Sequence, residues 1–230
     1  MFIYRPPSDP ITSLYQDADL TVIDKPSGLL SGPGRGDDKQ DCALARCQQE
    51  NSETLLVHRL DMDTSGILVL AHNALSHRQL SQQFQNRTVR KTYIAWVEGI
   101  VGADDGEINL PLIADWPNRP RQKIDPEAGK PSLTRWQVLD RHDTATLLRL
   151  TPETGRTHQL RVHCEAIGHP ILGDRLYGTA DSFARAPRLQ LHAEMLAFTH
   201  PTTAEPLNFL SPGDLTGPTG HDTLAPLSAP

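Results

Sequence analysis

Three short segments of this chain crowd carboxylates, guanidiniums, imidazoles and a phenol against stretches that read as buried strands. The first is HRLDMDTSG, His58 to Gly66, which runs directly into the apolar stretch GILVLA at 66–71. Carboxylates at the mouth of a buried strand are costly unless each has partners. Asp61 and Asp63 therefore either brace a turn or take part in chemistry. The second segment is RKTY, Arg90 to Tyr93, where strand alternation puts Lys91 and Tyr93 on one side. The third is TGRTHQLRVH, Thr154 to His163, which reads as a strand-to-helix turn permitted by Gly155. Backbone amides at the start of the following helix would favour an anion. Each segment also has a plain structural reading: a capped turn, a core tyrosine, a solvated basic helix face.

Other chemistries find less support. His158 and His163 are five apart, so they do not share the i, i+4 face of a zinc-binding HExxH helix, and no metal is expected. Ser65 is not in a G-x-S-x-G elbow. SGPGRG at 31–36 lacks the Lys-Ser/Thr ending of a phosphate-binding P-loop and reads as a loop. Cys42, Cys47 and Cys164 form no CxxC, which suits a reducing compartment.

The elements that must position these residues follow from hydrophobic pattern. LTVID at 20–24 reads as a buried strand ended by the turn signal Lys25-Pro26-Ser27-Gly28. Residues 41–50 read as a helix with Asp41 available as N-cap. GILVLA fits a central strand, and residues 74–86 an amphipathic helix with Leu80 and Phe84 on its apolar side. VRKTYIAWV at 89–97 alternates, with Val89, Lys91, Tyr93, Ala95 and Val97 on one face and Arg90, Thr92, Ile94 and Trp96 on the other. Further strands are expected at 133–140, 145–151 and 189–198. A helix is expected to start near Thr157, with Leu160, Cys164 and Ile167 along one stripe. Many strands with occasional helices, not strictly alternating, predict an α+β fold whose central sheet is mixed and mostly antiparallel.

The net charge of −6 argues against a binder held mainly by electrostatics. Its distribution is uneven. Residues 78–91 contain Arg78, Arg87, Arg90 and Lys91 and no acid, and residues 115–135 also carry excess positive charge. The flanks 1–60 and 176–230 are acidic, so the basic middle could form one polyanion-binding face. No signal pattern opens the chain, and no apolar stretch approaches the roughly 20 residues of a membrane helix. A cytoplasmic protein away from membranes is expected. The Pro/Gly-rich stretch 211–230 reads as a disordered tail.

Taken together and in order, the three segments change the reading. HRLDMDTSG resembles the H-R-L-D-x-x-T-S-G signature of the RluA family of pseudouridine synthases. RKTYIAWVEG is similar to that family's tyrosine motif, and TGRTHQLRVH followed by GHPILGDRLYG to its third motif and the segment after it. IDKPSGLLS and LHAEMLAFTHP fit its opening and closing strands. The resemblance covers residues 11–210, read as one catalytic domain of pseudouridine synthase fold without an S4-type module. It implies isomerisation of uridine to pseudouridine in RNA, with no cofactor and no metal. Asp61 would be the catalytic carboxylate, acting on the ribose or the base or promoting elimination to a glycal. Arg156 matches the arginine that pairs with this carboxylate and keeps it ionised, and Tyr93 would lie against the uracil ring. Asp63 falls on a variable position and receives no role. Arg59 is the candidate to fill the space left by the flipped base or to hold its phosphate. Thr64, Lys91, Leu160 and Arg161 complete the expected substrate-binding set. The implied partners are 23S rRNA and tRNA stem-loops, without DNA, and the chain is expected to act as a monomer. The alternatives are a catalytically silent RNA-binding or assembly factor with the same fold, and an RNA hydrolase using Asp61 and His58.

Overall fold

The computed structural model describes residues 3–217. In chain order it begins with strands β1 (Thr12–Gln16) and β2 (Leu20–Lys25), helix α1 (Ala43–Gln48), β3 (Leu55–Leu56), β4 (Ser65–Ala71) and α2 (Ala74–Gln85). It continues with β5 (Arg90–Glu98), β6 (Asp105–Asn109), β7 (Leu112–Ala114), β8 (Gln122–Ile124), β9 (Leu133–His142) and β10 (Ala145–Pro152). Helices α3 (Gln159–Ala166) and α4 (Ala180–Ala184) and strands β11 (Leu191–Thr199) and β12 (Pro206–Leu210) follow. Of the described residues, those within Met1–Lys91 and Ala193–Gly213 form one compact unit, and those within Thr92–His192 and Asp214–Pro230 a second.

In the first unit β2 pairs antiparallel with both β1 and β4, β3 pairs with the end of β4, and β11 and β12 form a hairpin. All seven residues of β4 are buried, which explains why its sequence is a continuous apolar run without alternation. Leu20, Val22, Ile67, Val69, Leu80, Leu196 and Phe198 share one core cluster. Gly66 takes φ +112°, and a Cβ there would come within 2.4 Å of the Ala193 carbonyl oxygen. The glycine that ends the first motif is thus required by a close approach of two backbones. Asn73 caps α2 by accepting a hydrogen bond from the Ser76 amide.

In the second unit β5, β10, β9 and β6 pair antiparallel in that order, and β7 and β8 form a separate hairpin. The expected alternation of β5 is seen in its packing. Ala95 and Val97 enter one apolar cluster, with Tyr93 packed against it, while Ile94 and Trp96 enter another. The strand therefore carries core on both faces and delivers Lys91 and Tyr93 at its start.

Several local expectations are corrected. The N-cap of α1 is Cys42, whose sulfur accepts from the Ala45 amide, because Asp41 is engaged by Arg46 at 2.7 Å. Helix α3 begins at Gln159, and the left-handed residue of its entry is His158 at φ 54°, not Gly155. At the far end, Ser211 and Leu215 of the expected tail are buried, Leu215 within the cluster of Ile94 and Trp96. The remainder of that tail, 218–230, lies outside the described residues.

Candidate active site

The Asp61 motif is a loop whose main chain is gripped by the segment 25–31. The Thr64 amide donates to the Asp61 carbonyl at 3.2 Å, closing a tight turn. Ser31 Oγ donates to the Leu60 carbonyl and accepts from the Leu60 amide, at 2.8 and 3.0 Å. Ser27 Oγ donates to the Asp63 carbonyl, and the Gly28 amide to that of Met62. Lys25 is fully buried, and its Nζ donates to the carbonyls of Pro26, Leu29 and Met62 at 2.9, 2.7 and 3.1 Å. A buried ammonium is tolerable only with such a cage of acceptors. This grip leaves Asp61 and Asp63 half-buried, Thr64 buried and Arg59 exposed.

His58, at the head of the motif, is structural in its surroundings. Its ring stacks on Phe84 with centroids 4.3 Å apart, and Nε2 accepts from the Val69 amide. Burial, assisted by the charge of nearby Lys91, pushes its pKa down to about 3. The imidazole is therefore neutral at ordinary pH and has its basic nitrogen occupied.

In the second unit the Arg156 turn is held by one buried amide side chain. Gln159 Oε1 accepts from the Arg156 amide and from Thr154 Oγ, at 3.0 and 2.7 Å. Gln159 Nε2 donates to the Leu133 carbonyl and to Thr134 Oγ. All four hydrogen-bonding positions of the amide are filled, which fixes the turn against β9. The Arg156 side chain is half-buried, and its Nε donates to the Pro131 carbonyl at 3.3 Å. His163 has both ring nitrogens engaged, by Thr134 Oγ and the Leu110 carbonyl.

Leu160 and Arg161, expected at the RNA, are both buried. Leu160 lies in the apolar cluster against which Tyr93 packs. The Arg161 guanidinium meets Asp174 through Nε and Nη2, both at 2.7 Å. Burial alone would raise the Asp174 pKa. Arg161 and the amides of Leu176 and Tyr177 outweigh it and hold the carboxyl below its usual value. Lys25, Ser31, Gln159 and Asp174 act as positioning groups that no sequence motif announces. The available signals were a lysine closing a buried strand and a glutamine at the first position of an otherwise inward-facing helix.

Arg59, Asp61, Thr64 and Lys91 thus belong to the first unit, and Tyr93, Arg156, Leu160 and Arg161 to the second. Among the described residues no group of three or more His, Cys, Asp or Glu could hold a metal ion. No helix among them is long and apolar enough to cross a membrane. The first unit offers a carboxylate on a rigid turn, and the second a phenol at a strand start and a guanidinium on a rigid turn of its own.

Comparison with known proteins defines the class. Residues 19–166 match the family model described as RNA pseudouridylate synthase, and the chain belongs to that family. It is 47% identical over 213 residues to the dual-specificity RNA pseudouridine synthase RluA of Escherichia coli K12, covering 92% of this chain and 97% of that protein. It is 50% identical over 197 residues to the protein of the same name from Yersinia pestis, covering 85% and 96%. Among solved structures, human RNA pseudouridylate synthase domain containing 1 superposes with a TM-score of 0.76 at 30% identity, covering 91% of this chain and 86% of that one. The fold is α+β of pseudouridine synthase type, and the chain is an RNA-modifying enzyme that isomerises uridine to pseudouridine.

Proposed function

We propose that the chain acts on unpaired uridines in two kinds of RNA, 23S rRNA and tRNA stem-loops, as a cytoplasmic monomer. The observation that carries this reading is the near-full-length similarity to relatives named as dual-specificity synthases. Sequence-selective RNA binding generally targets such loops, whose bases can be splayed out.

In this reading Asp61 is the carboxylate that acts as the bond between uracil N1 and the ribose opens. The freed base turns and rejoins through C5, losing its C5 proton and gaining one at N1. Atoms and electrons balance without a co-reactant. Arg156 keeps Asp61 ionised, and Tyr93 lies against the ring. Arg59, exposed beside the turn, takes the space left by the flipped base or its phosphate. Extraction of that base costs a few kcal/mol, which the cationic Lys91 helps to offset by holding phosphate. Thr64 closes the Asp61 turn, Leu160 lies in the apolar cluster against which Tyr93 packs, and Arg161 pairs with Asp174, which holds the amides of Leu176 and Tyr177. The hydrolase alternative is disfavoured by His58, whose Nε2 already accepts from the Val69 amide.

The test uses transcripts of a 23S rRNA hairpin and a tRNA anticodon stem-loop carrying 5-tritiated uridine. Tritium release from both, with the RNA left at full length, is expected. Release from one alone would remove dual specificity. Release from neither by folded protein would point to the silent RNA-binding alternative or another RNA target, and shortened RNA to hydrolysis.

A further inference from the structure

The β7–β8 hairpin carries none of the residues assigned to the reaction, yet its tip is chemically distinctive. Trp116 is 63% exposed, and the Arg119 guanidinium lies 3.6 Å from the centroid of its ring. Arg119, Arg121 and Lys123 make this arm cationic in a chain of net charge −6. Its acids are engaged locally. Asp115 accepts from Asn118 Nδ2, and Asp125 from the amides of Glu127 and Ala128, with Lys123 3.6 Å away. An indole stacked on a guanidinium, with its remaining surface open to solvent, is suited to a nucleobase. Aromatic faces accept any base, and the cation adds attraction to both ring and phosphate.

The arm is tied to the Arg156 turn at two points. At its base Leu112 and Lys130 exchange both main-chain hydrogen bonds, and the adjoining Pro131 carbonyl accepts from Arg156 Nε. Near its tip the Gln122 amide donates to the Tyr177 hydroxyl, which is 2.7 Å from Nδ1 of His158, two residues from Arg156. Leu112, Val162 and Tyr177 pack together beneath it, with Ile124 against them. The platform is therefore held at a fixed place relative to a residue of the candidate site.

We propose that Trp116, backed by Arg119, is a stacking platform for an unpaired nucleotide of the substrate RNA other than the target uridine. This rests on the reading of the chain as an RNA pseudouridine synthase. It identifies a surface that contributes affinity more than base choice. A second copy of this chain is the poorer occupant, because it would bring an equally cationic arm to the same place.

The test measures RNA dissociation constants and single-turnover tritium release side by side for wild type, W116A, W116F and R119A. F183A serves as a control, since Phe183 is another exposed aromatic, on α4 and not on the hairpin. W116A is expected to weaken RNA binding about ten-fold, within the range for loss of one base–aromatic stack. The loss should fall on KM more than on the rate at saturating RNA, and W116F should restore most of it. R119A should lower the slope of log affinity against log salt by about one. F183A should bind as wild type does. A W116A dissociation constant within two-fold of wild type would overturn the proposal. So would a wild-type dimer that W116A converts to monomer in sedimentation. Wild type that binds RNA without releasing tritium would instead count against the assigned reaction, leaving the platform judged by its dissociation constants.

Discussion

The Asp61 turn is gripped from outside, by Lys25, Ser27 and Ser31 acting on main-chain groups 29 to 37 residues further along the chain. The Arg156 turn is gripped from within, by the side chain of Gln159 three residues on. The difference bears on what each turn can tolerate. Carbonyl oxygens are common to all residues, so the first grip makes no demand on the side chains it holds. The second depends on one amide with four filled positions, and among uncharged side chains only Asn, one methylene shorter, also offers two donors and two acceptors.

The two regions also differ in how they meet acid. His58, beside the first turn, has its pKa lowered to about 3, so below its unfolded value of about 6.5 the unfolded chain binds a proton that the folded chain does not. Stability contributed there falls as pH drops from about 6.5 toward 3. Asp174, bracing the second unit, has a depressed pKa, so its contribution is intact above the ordinary carboxylate value of about 3.9 and is lost only below it.

These contrasts can be broken one residue at a time. The largest stability effect is expected for D174A, which leaves the Arg161 guanidinium buried without its carboxylate and should cost about 3–5 kcal/mol in urea unfolding. The loss should shrink as pH falls below about 4, where wild type loses the same contribution. K25M comes next. It strips three carbonyls of a charged donor, each such bond being worth about 1.5–3 kcal/mol, and part of that is regained by burying an apolar chain. A net loss of about 2–4 kcal/mol is expected, with kcat falling as the Asp61 turn loosens. Q159L should cost less stability, about 2 kcal/mol, since the apolar isostere packs well while Thr154 and Thr134 lose partners. It should nevertheless lower kcat more than KM by releasing Arg156. The smallest effect is expected for H58F, which keeps the stack on Phe84. It should flatten the pH dependence of the urea midpoint between about 6.5 and 3.

Much of this was legible in the sequence because local pattern and packing agree. The continuous apolar run of β4, the alternation of β5 and the motif order from His58 to His163 each announce an element and its partners. The positions of Asp61, Tyr93 and Arg156 on a turn, a strand start and a strand-to-helix turn follow from them. The short strands β3, β7 and β8 carry too few residues for a period to show. The left-handed residue is His158, whose ring is held by the distant Tyr177 hydroxyl, while local preference would choose Gly155. The Lys25 cage was invisible for a related reason. Its acceptors are main-chain oxygens, which carry no residue code, and Met62 is brought to it only by folding.

The most direct measurement is single-turnover tritium release by D61N and D61A against wild type, on whichever transcript the wild-type protein modifies, with folding checked by urea unfolding. Both variants should fold with near-wild-type midpoints, because the turn is held through its main chain, and both should bind RNA while releasing tritium only at background. An Asp61→Ala protein that turns over at a near-wild-type rate would contradict the account.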